Sequence, residues 1–148
     1  MLWKKIMCPV DYSPGSKEAL RVAATMSAAS GGELVIVHAW NPLFLDGMEF
    51  GSNGALMAEL RKSVEVSLET WKSDAEALGA KHVSWVFVTG APWNEIVSAA
   101  VSDSAVDLIV MGTHGRTGLK HVLIGSVAEK VVRHAPCPVL VVRTRQGA

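Results

Sequence analysis

Four short, nearly unbroken apolar runs constrain the fold of this chain more than any other feature. They are Lys5 to Val10 (KIMCPV), Leu34 to Trp40 (LVIVHAW), Val106 to Met111 (VDLIVM) and Val139 to Val142 (VLVV). A half-solvated strand alternates apolar and polar residues. A continuous apolar run of strand length instead fits a parallel strand covered on both faces. A fifth segment, Val83 to Thr89, alternates and then meets Gly90.

Helical signals fill the gaps between these runs. Ser13 is a good N-cap and Pro14 suits the first helical position; this helix runs to Ser30, where Gly31 and Gly32 stop it. From Ala55, Leu60, Val64, Leu68, Trp71, Ala75 and Leu78 recur at steps of three and four until Gly79, opposite a solvated face of Glu59, Arg61, Lys62, Glu65, Glu69 and Lys72. Pro92 opens a third helix, and Ser126 and Glu129 have capping-box spacing at the start of a fourth. Strands alternating with helices define an α/β chain with right-handed crossovers. The expected architecture is one open parallel sheet of five strands in the order 3-2-1-4-5, flanked by four helices, Rossmann-like, with residues 1–148 forming a single domain. Residues 144–148 read as a frayed tail.

Composition narrows the function. Lys and Arg total 14 against 14 Asp and Glu, and no basic run occurs, which argues against nucleic-acid binding. The apolar runs are strand-sized, too short to span a membrane. No signal peptide is visible after Met1-Leu2-Trp3-Lys4-Lys5, so a cytoplasmic location is the expectation. Cys8 and Cys137 lie too far apart for a disulfide framework or a metal spacing and read as small buried hydrophobes.

The stretch from Gly112 to Ser126 (GTHGRTGLKHVLIGS) carries the chemistry. It holds Gly112, Gly115, Gly118 and Gly125 together with Arg116, Lys120, His114 and His121. A strand, a glycine-rich turn and a helix N-terminus make an anion site, because the backbone can approach phosphate closely and the unpaired N–H groups favour negative charge. The G-K-[ST] ending of the P-loop is missing, and the spacing is not G-x-G-x-x-G. The alternative is a surface loop using glycine for flexibility, but long loops inside compact domains are usually functional. With strand order 3-2-1-4-5, the crevice at the switch point lies between the first and fourth strands, so Asp11 and Gly112 face each other at their carboxyl ends. Phosphate would repel a carboxylate, so Asp11 suits ribose hydroxyls; it also suits a capping role before Ser13, and the two are compatible.

The pattern Gly112, two residues, Gly115, nine residues, Gly125-Ser126 resembles the G-2x-G-9x-G-[ST] nucleotide signature of the universal stress protein family. Cys8-Pro9-Val10-Asp11-Tyr12-Ser13 resembles that family's first strand end, and Ala135-Pro136-Cys137-Pro138-Val139-Leu140-Val141-Val142 its closing strand. The resemblance covers nearly the whole chain. It implies the family's five-stranded fold, of the adenine nucleotide alpha hydrolase-like kind, and binding of ATP or a related adenine nucleotide such as ADP or AMP, with Mg²⁺ able to enter with the triphosphate. It places Pro9, Val10 and Asp11 along the adenosine, with Asp11 on the ribose. Ala39 and Met111 fall against adenine and Gly112 near the ribose, while the backbones of Gly115, Arg116, Gly125, Ser126 and Val127 hold phosphate. Val10 stands where some members have threonine, and Ala39 where some have valine. Homodimerisation through Val139, Leu140, Val141 and Val142 is also implied.

Other readings stay open. Ser126 either donates to a phosphate or caps its helix. His114 and His121 lack a partner nucleophile, so no catalytic residue and no protein-only metal site is assigned. Trp40 and Trp93 flank the strand ends and suit packing better than base stacking. The apolar loop of residues 41–54 (Leu43, Phe44, Leu45, Met48, Phe50) is either a flap or a partner surface. The expected role is a nucleotide-dependent stress-response or regulatory module with an unidentified signalling partner. A slow ATPase or self-phosphorylating enzyme using the same pocket is the alternative, and a structural dimer without nucleotide the second. Related adenine-binding enzymes are disfavoured, since neither S-G-G-x-D-S nor H-I-G-H is present.

Overall fold

The computed structural model describes residues 2–41, 54–113 and 124–144. Along the chain these form β1 (Lys5–Pro9), α1 (Pro14–Ser30), β2 (Glu33–Trp40), α2 (Gly54–Ala77), β3 (His82–Thr89), α3 (Pro92–Ser102), β4 (Leu108–Gly112), α4 (Ser126–His134) and β5 (Val139–Val142). All strand pairs are parallel, and the sheet order is β3-β2-β1-β4-β5, as the sequence predicts. Residues 42–53, most of the apolar loop, lie outside the described residues, as do 145–148.

The apolar runs supply two cores, one on each face of the sheet. Ile6, Cys8, Val10, Leu34, Ile36, Leu108 and Val110 meet Ala19, Leu20, Ala23 and Ala24 of α1 and Leu68 and Ala75 of α2. Their neighbours Met7, Val35, Val37, Ile109 and Met111 point the other way, onto Ile96 and Ala100 of α3 and Ala128 and Val131 of α4. Side chains two apart share a face, so an unbroken apolar run feeds both layers. Burying each large aliphatic side chain contributes about 1.5–3 kcal/mol, which makes the first three runs a main source of stability; the fourth, Val139 to Val142, is an edge strand and only partly buried, with Leu140 exposed. The edge strand β3 alternates because only Val83, Trp85 and Phe87 pack on the first core, while Val86 stays exposed.

Helix boundaries follow local chemistry, with three departures from expectation. Ser13 caps α1 by accepting the Ser16 N–H at 3.1 Å, and Gly31 ends it at φ 73°. Leu78 lies beyond the end of α2 and is exposed, so it leaves the buried stripe. β4 begins at Leu108 rather than Val106: just before it, the Asp107 N–H donates to the Lys5 carbonyl at 3.0 Å, while the Asp107 carboxylate takes up the backbone N–H groups of Lys4 (2.8 Å) and Lys5 (3.2 Å). The Ser126–Glu129 capping box is absent. Gly125 is the N-cap, Ser126 is the first helical residue, and Glu129 pairs with Arg133 one turn on. Cys8 is fully buried, but Cys137 is only half-buried.

Candidate functional site at the carboxyl ends of β1 and β4

The strand order sets β1 beside β4, and their carboxyl ends bring three pieces of chain together. The first is the turn from Pro9 to Ser16. The Val10 N–H donates to the Val37 carbonyl at 2.8 Å, and the Val10 carbonyl lies 2.8 Å from Nδ1 of the buried His38. Asp11 follows, partly exposed. Its Oδ1 accepts the Ser13 N–H at 2.9 Å, and its own N–H donates to Ser16 Oγ at 3.3 Å. This Asx turn is the capping role read in the sequence, and it engages one carboxylate oxygen. Between Asp11 and Ser13, Tyr12 adopts a left-handed backbone with φ 64°, which a residue other than glycine rarely takes.

The second piece is the end of β4. Met111 is buried among the α3/α4 core, and Gly112 pairs with Val142 of β5. A Cβ at Gly112 would stand 2.8 Å from the Gly15 carbonyl carbon and 2.9 Å from its oxygen, so the first turn of α1 rests directly on β4 here. Gly112 is therefore required by helix-on-strand packing, whatever else it does. The third piece is the start of α4. The Gly125 N–H donates to the carbonyl of the buried Thr113, which fastens the helix entrance to the end of β4. Among the described residues no side chain caps this helix; its first turn, with Ser126 exposed and Val127 half-buried, starts at the same end of the sheet. Glu129 is in that first turn and Arg133 and His134 are in the last, both favourable for the helix dipole.

The proposed adenine wall divides between the faces. Ala39 has the parity of Val35 and Val37 and, with Met111, belongs to the α3/α4 side, where Val88 and Trp93 also pack. Val10 points the opposite way into the α1/α2 core, and both its backbone polar groups are engaged. Trp40 stacks on Phe87 (5.9 Å), and Trp93 packs on His134 (5.3 Å) and under Lys130. Gly115, Arg116, His114, Lys120 and His121 lie outside the described residues. Among the described residues no three His, Cys, Asp or Glu side chains group to hold a metal, and no helix is long and apolar enough to cross a membrane.

Tyr12, Ser16, Gly15 and Thr113 escaped sequence reasoning. The repeated serine in Ser13-Pro14-Gly15-Ser16 was the available signal for the first turn, since Ser16 Oγ lies 3.1 Å from the Ser13 carbonyl. A separate shallow cleft of about 820 Å³ lies at the other end of the strands, beside Trp3, Lys4, Gly32, Lys72 and His82. Its lysines are interleaved with Glu33 and Glu76, so it favours no charge.

A parallel sheet wrapped on both faces, with a carboxylate and a helix N-terminus at adjacent strand ends, defines an open α/β protein of the kind whose ligands sit beyond the carboxyl ends of the strands. The family model for the universal stress protein family matches residues 2–143. The chain is 39% identical over 143 residues to the universal stress protein MJ0531 of Methanocaldococcus jannaschii, covering 96% of this chain and 83% of that one. With the universal stress protein MJ0577 of the same organism it shares 32% identity over 162 residues, covering 99% of each. The solved structure of MJ0577 superimposes with a TM-score of 0.85, covering 99% of this chain and 100% of that one. A universal stress protein solved in complex with cAMP is 28% identical, with a TM-score of 0.69, covering 98% of this chain and 100% of that one. The chain belongs to the universal stress protein family.

Proposed function

We propose that this protein binds ATP, or a related adenine nucleotide, in the crevice between the ends of β1 and β4, and that occupancy regulates its association with partners. The observation that carries the reading is the uncapped start of α4, held to the end of β4 through Gly125 and Thr113, on the strand next to the one that delivers Asp11. Free N–H groups at a helix start suit phosphate. The cAMP complex of a family member supports an adenine ligand. Ser126 is not the N-cap, so its hydroxyl is spared that duty and suits phosphate.

In this reading Asp11 keeps Oδ1 on Ser13 and offers its other oxygen to ribose hydroxyls. Pro9 and Val10 line the adenosine with Asp11; Ala39 and Met111 touch the adenine, and Gly112 lies near the ribose. The backbones of Gly115, Arg116, Gly125, Ser126 and Val127 hold the phosphates, and Mg²⁺ enters with a triphosphate. A bound nucleotide supplies the charge that the first turn of α4 neutralises; the chain binds and orients it. β5 is a sheet edge with Leu140 exposed, and its residues Val139 to Val142 are the proposed homodimer contact, in a cytoplasmic setting.

The test is to denature freshly purified protein, identify released small molecules by mass spectrometry, and titrate the emptied protein with ATP, ADP, AMP and cAMP. Near-stoichiometric adenine nucleotide, or uptake lowered roughly 10-fold or more by Asp11→Asn, supports the reading; charged hydrogen bonds contribute about 1.5–3 kcal/mol each. No release and no uptake would overturn it and leave the structural dimer. Recovery of ADP with turnover of added ATP would favour the slow enzyme.

A further inference from the structure

Tyr12 is the residue that nothing so far accounts for. It occupies a left-handed conformation at φ 64°, where a side chain is costly, and such positions persist only when their surroundings hold them. The surroundings are an aromatic clamp. The Tyr12 ring centroid lies 4.6 Å from that of His38 on β2 and 5.3 Å, edge-on, from that of Trp71 on α2. Its hydroxyl comes within 3.5 Å of the Val64 carbonyl. Val64 and Trp71 are seven residues apart, two turns of helix on one face, so a single face of α2 grips the ring.

The residues on either side of Asp11 are thus both fixed from outside the turn. Behind it, His38 holds the Val10 carbonyl at 2.8 Å; ahead of it, the same imidazole and α2 hold Tyr12. The Asx bond from Ser13 N–H to Asp11 Oδ1 spans Tyr12, so the Tyr12 backbone angle sets where the second carboxylate oxygen points. Burial raises the Tyr12 phenol to about 12, so it remains a neutral strut through the physiological range.

We propose that Tyr12 is a positioning residue: clamped between His38 and Trp71, it holds the Asp11 turn in the geometry that recognises ribose hydroxyls and ties that recognition to the docking of α2. This rests on the ribose role proposed above for Asp11. Coupling is reciprocal, so nucleotide should in turn slow amide exchange in α2 around Val64 to Trp71.

The experiment compares binding of ATP and 2′,3′-dideoxy-ATP, reading their affinity ratio so that a general loss of structure cancels. Wild type should favour ATP about 10-fold or more, and Asp11→Asn should lose most of that preference. Tyr12→Phe keeps the ring and should keep the ratio. Tyr12→Gly suits the backbone angle but removes the ring; it should bind dideoxy-ATP nearly as wild type while its ratio falls toward that of Asp11→Asn. Trp71→Leu, on α2 and outside the proposed nucleotide contacts, should lower the ratio in the same direction, and it tests the clamp even if Tyr12→Gly does not fold. A wild-type ratio in Tyr12→Gly and Trp71→Leu, or an equal loss for both nucleotides, overturns the proposal while leaving the ribose role intact. Strong ATP binding with no preference over dideoxy-ATP in wild type refutes the ribose role, and the proposal with it.

Discussion

Replacing Gly112 by alanine should destabilise the protein, whereas the same change at Gly15, its contact partner, should not. The new Cβ at position 112 would meet the Gly15 carbonyl carbon at 2.8 Å, its oxygen at 2.9 Å and the Ser16 nitrogen at 3.3 Å. Carbon atoms rest at roughly 3.5–4.0 Å, so the first turn of α1 must retreat by about 0.7 Å. The obstacle is backbone, anchored by the Ser13 cap at one end and by the α1 core residues Ala19, Leu20 and Ala23 beyond, so it cannot swing away. Overpacking of this kind costs about 1–3 kcal/mol. For a chain of this size that lowers Tm by about 4 °C per kcal/mol. At Gly15 an added Cβ would meet, among the described residues, only Ser13 Oγ and Thr144 Oγ1, both at 3.7 Å, which is ordinary contact. Gly15→Ala should therefore be neutral, or stabilise by up to about 1 kcal/mol through the lower backbone entropy of the unfolded chain. Thermal unfolding followed by circular dichroism measures both. A Gly112→Ala Tm within about 1 °C of wild type, or equal losses in the two variants, would refute the packing role of Gly112.

Three further outcomes are expected. Leu140→Lys places a charge on the edge strand β5 at an exposed position and should shift light-scattering mass from that of the proposed dimer to that of a monomer with little change in Tm; a dimer mass unchanged by it would rule out the β5 interface. Lys5 Nζ lies 2.6 Å from Asp103 and 3.4 Å from Glu33; its pKa is raised above 10.5, chiefly by the Asp103 hydrogen bond, and that of Asp103 is lowered below 3.8 by Lys5. The depressed Asp103 contributes stability above its ordinary pKa and loses it as pH falls through the folded value; the raised Lys5 contributes below 10.5 and loses it at higher pH. The pair is partly exposed, so the effect stays below about 1 kcal/mol, and Lys5→Met should destabilise at pH 7 but no longer at pH 2. The native protein should also present one thiol to a disulfide reagent, the half-buried Cys137, slowed because burial raises its pKa; Cys8, fully buried with its thiol pushed far up, should react only after unfolding.

Much of the fold was legible because its strands are buried on both faces. Ile6 to Val10, Leu34 to Val37 and Leu108 to Met111 must be apolar at every step, and no other element of that length has that requirement. Helix starts were legible where a side chain acts on its own neighbours, as Ser13 does on Ser16. The start of α4 misled because Ser126 and Glu129 satisfy the capping box in sequence, while a long-range bond from Gly125 to Thr113 decides the register in space. The start of β4 was likewise set from a distance: the Asp107 carboxylate holds the amides of Lys4 and Lys5, a contact that no local pattern in Val106 to Met111 announces. Tyr12 carries no local sign of its left-handed backbone, because His38, Val64 and Trp71, which hold it there, come from distant parts of the chain.

The contacts that hold Val10 and Tyr12 flank Asp11, and they explain why the crevice can be both strained and well defined. The α1/α2 face fixes the turn: Val10 is sunk in its core, and Tyr12 is gripped by α2. The α3/α4 face supplies Ala39, Met111 and the uncapped start of α4. Asp11 stands at the carboxyl end of the central strand β1, where the two faces meet, so under the proposed function ribose recognition would depend on one layer and the base and phosphate contacts on the other. A nucleotide spanning the crevice would therefore bind both layers at once, and its free energy would be shared between α2 on one side and α4 on the other. That sharing gives a bound nucleotide a physical route to the outer surfaces of both helices, which is what regulation of a partner through this fold requires.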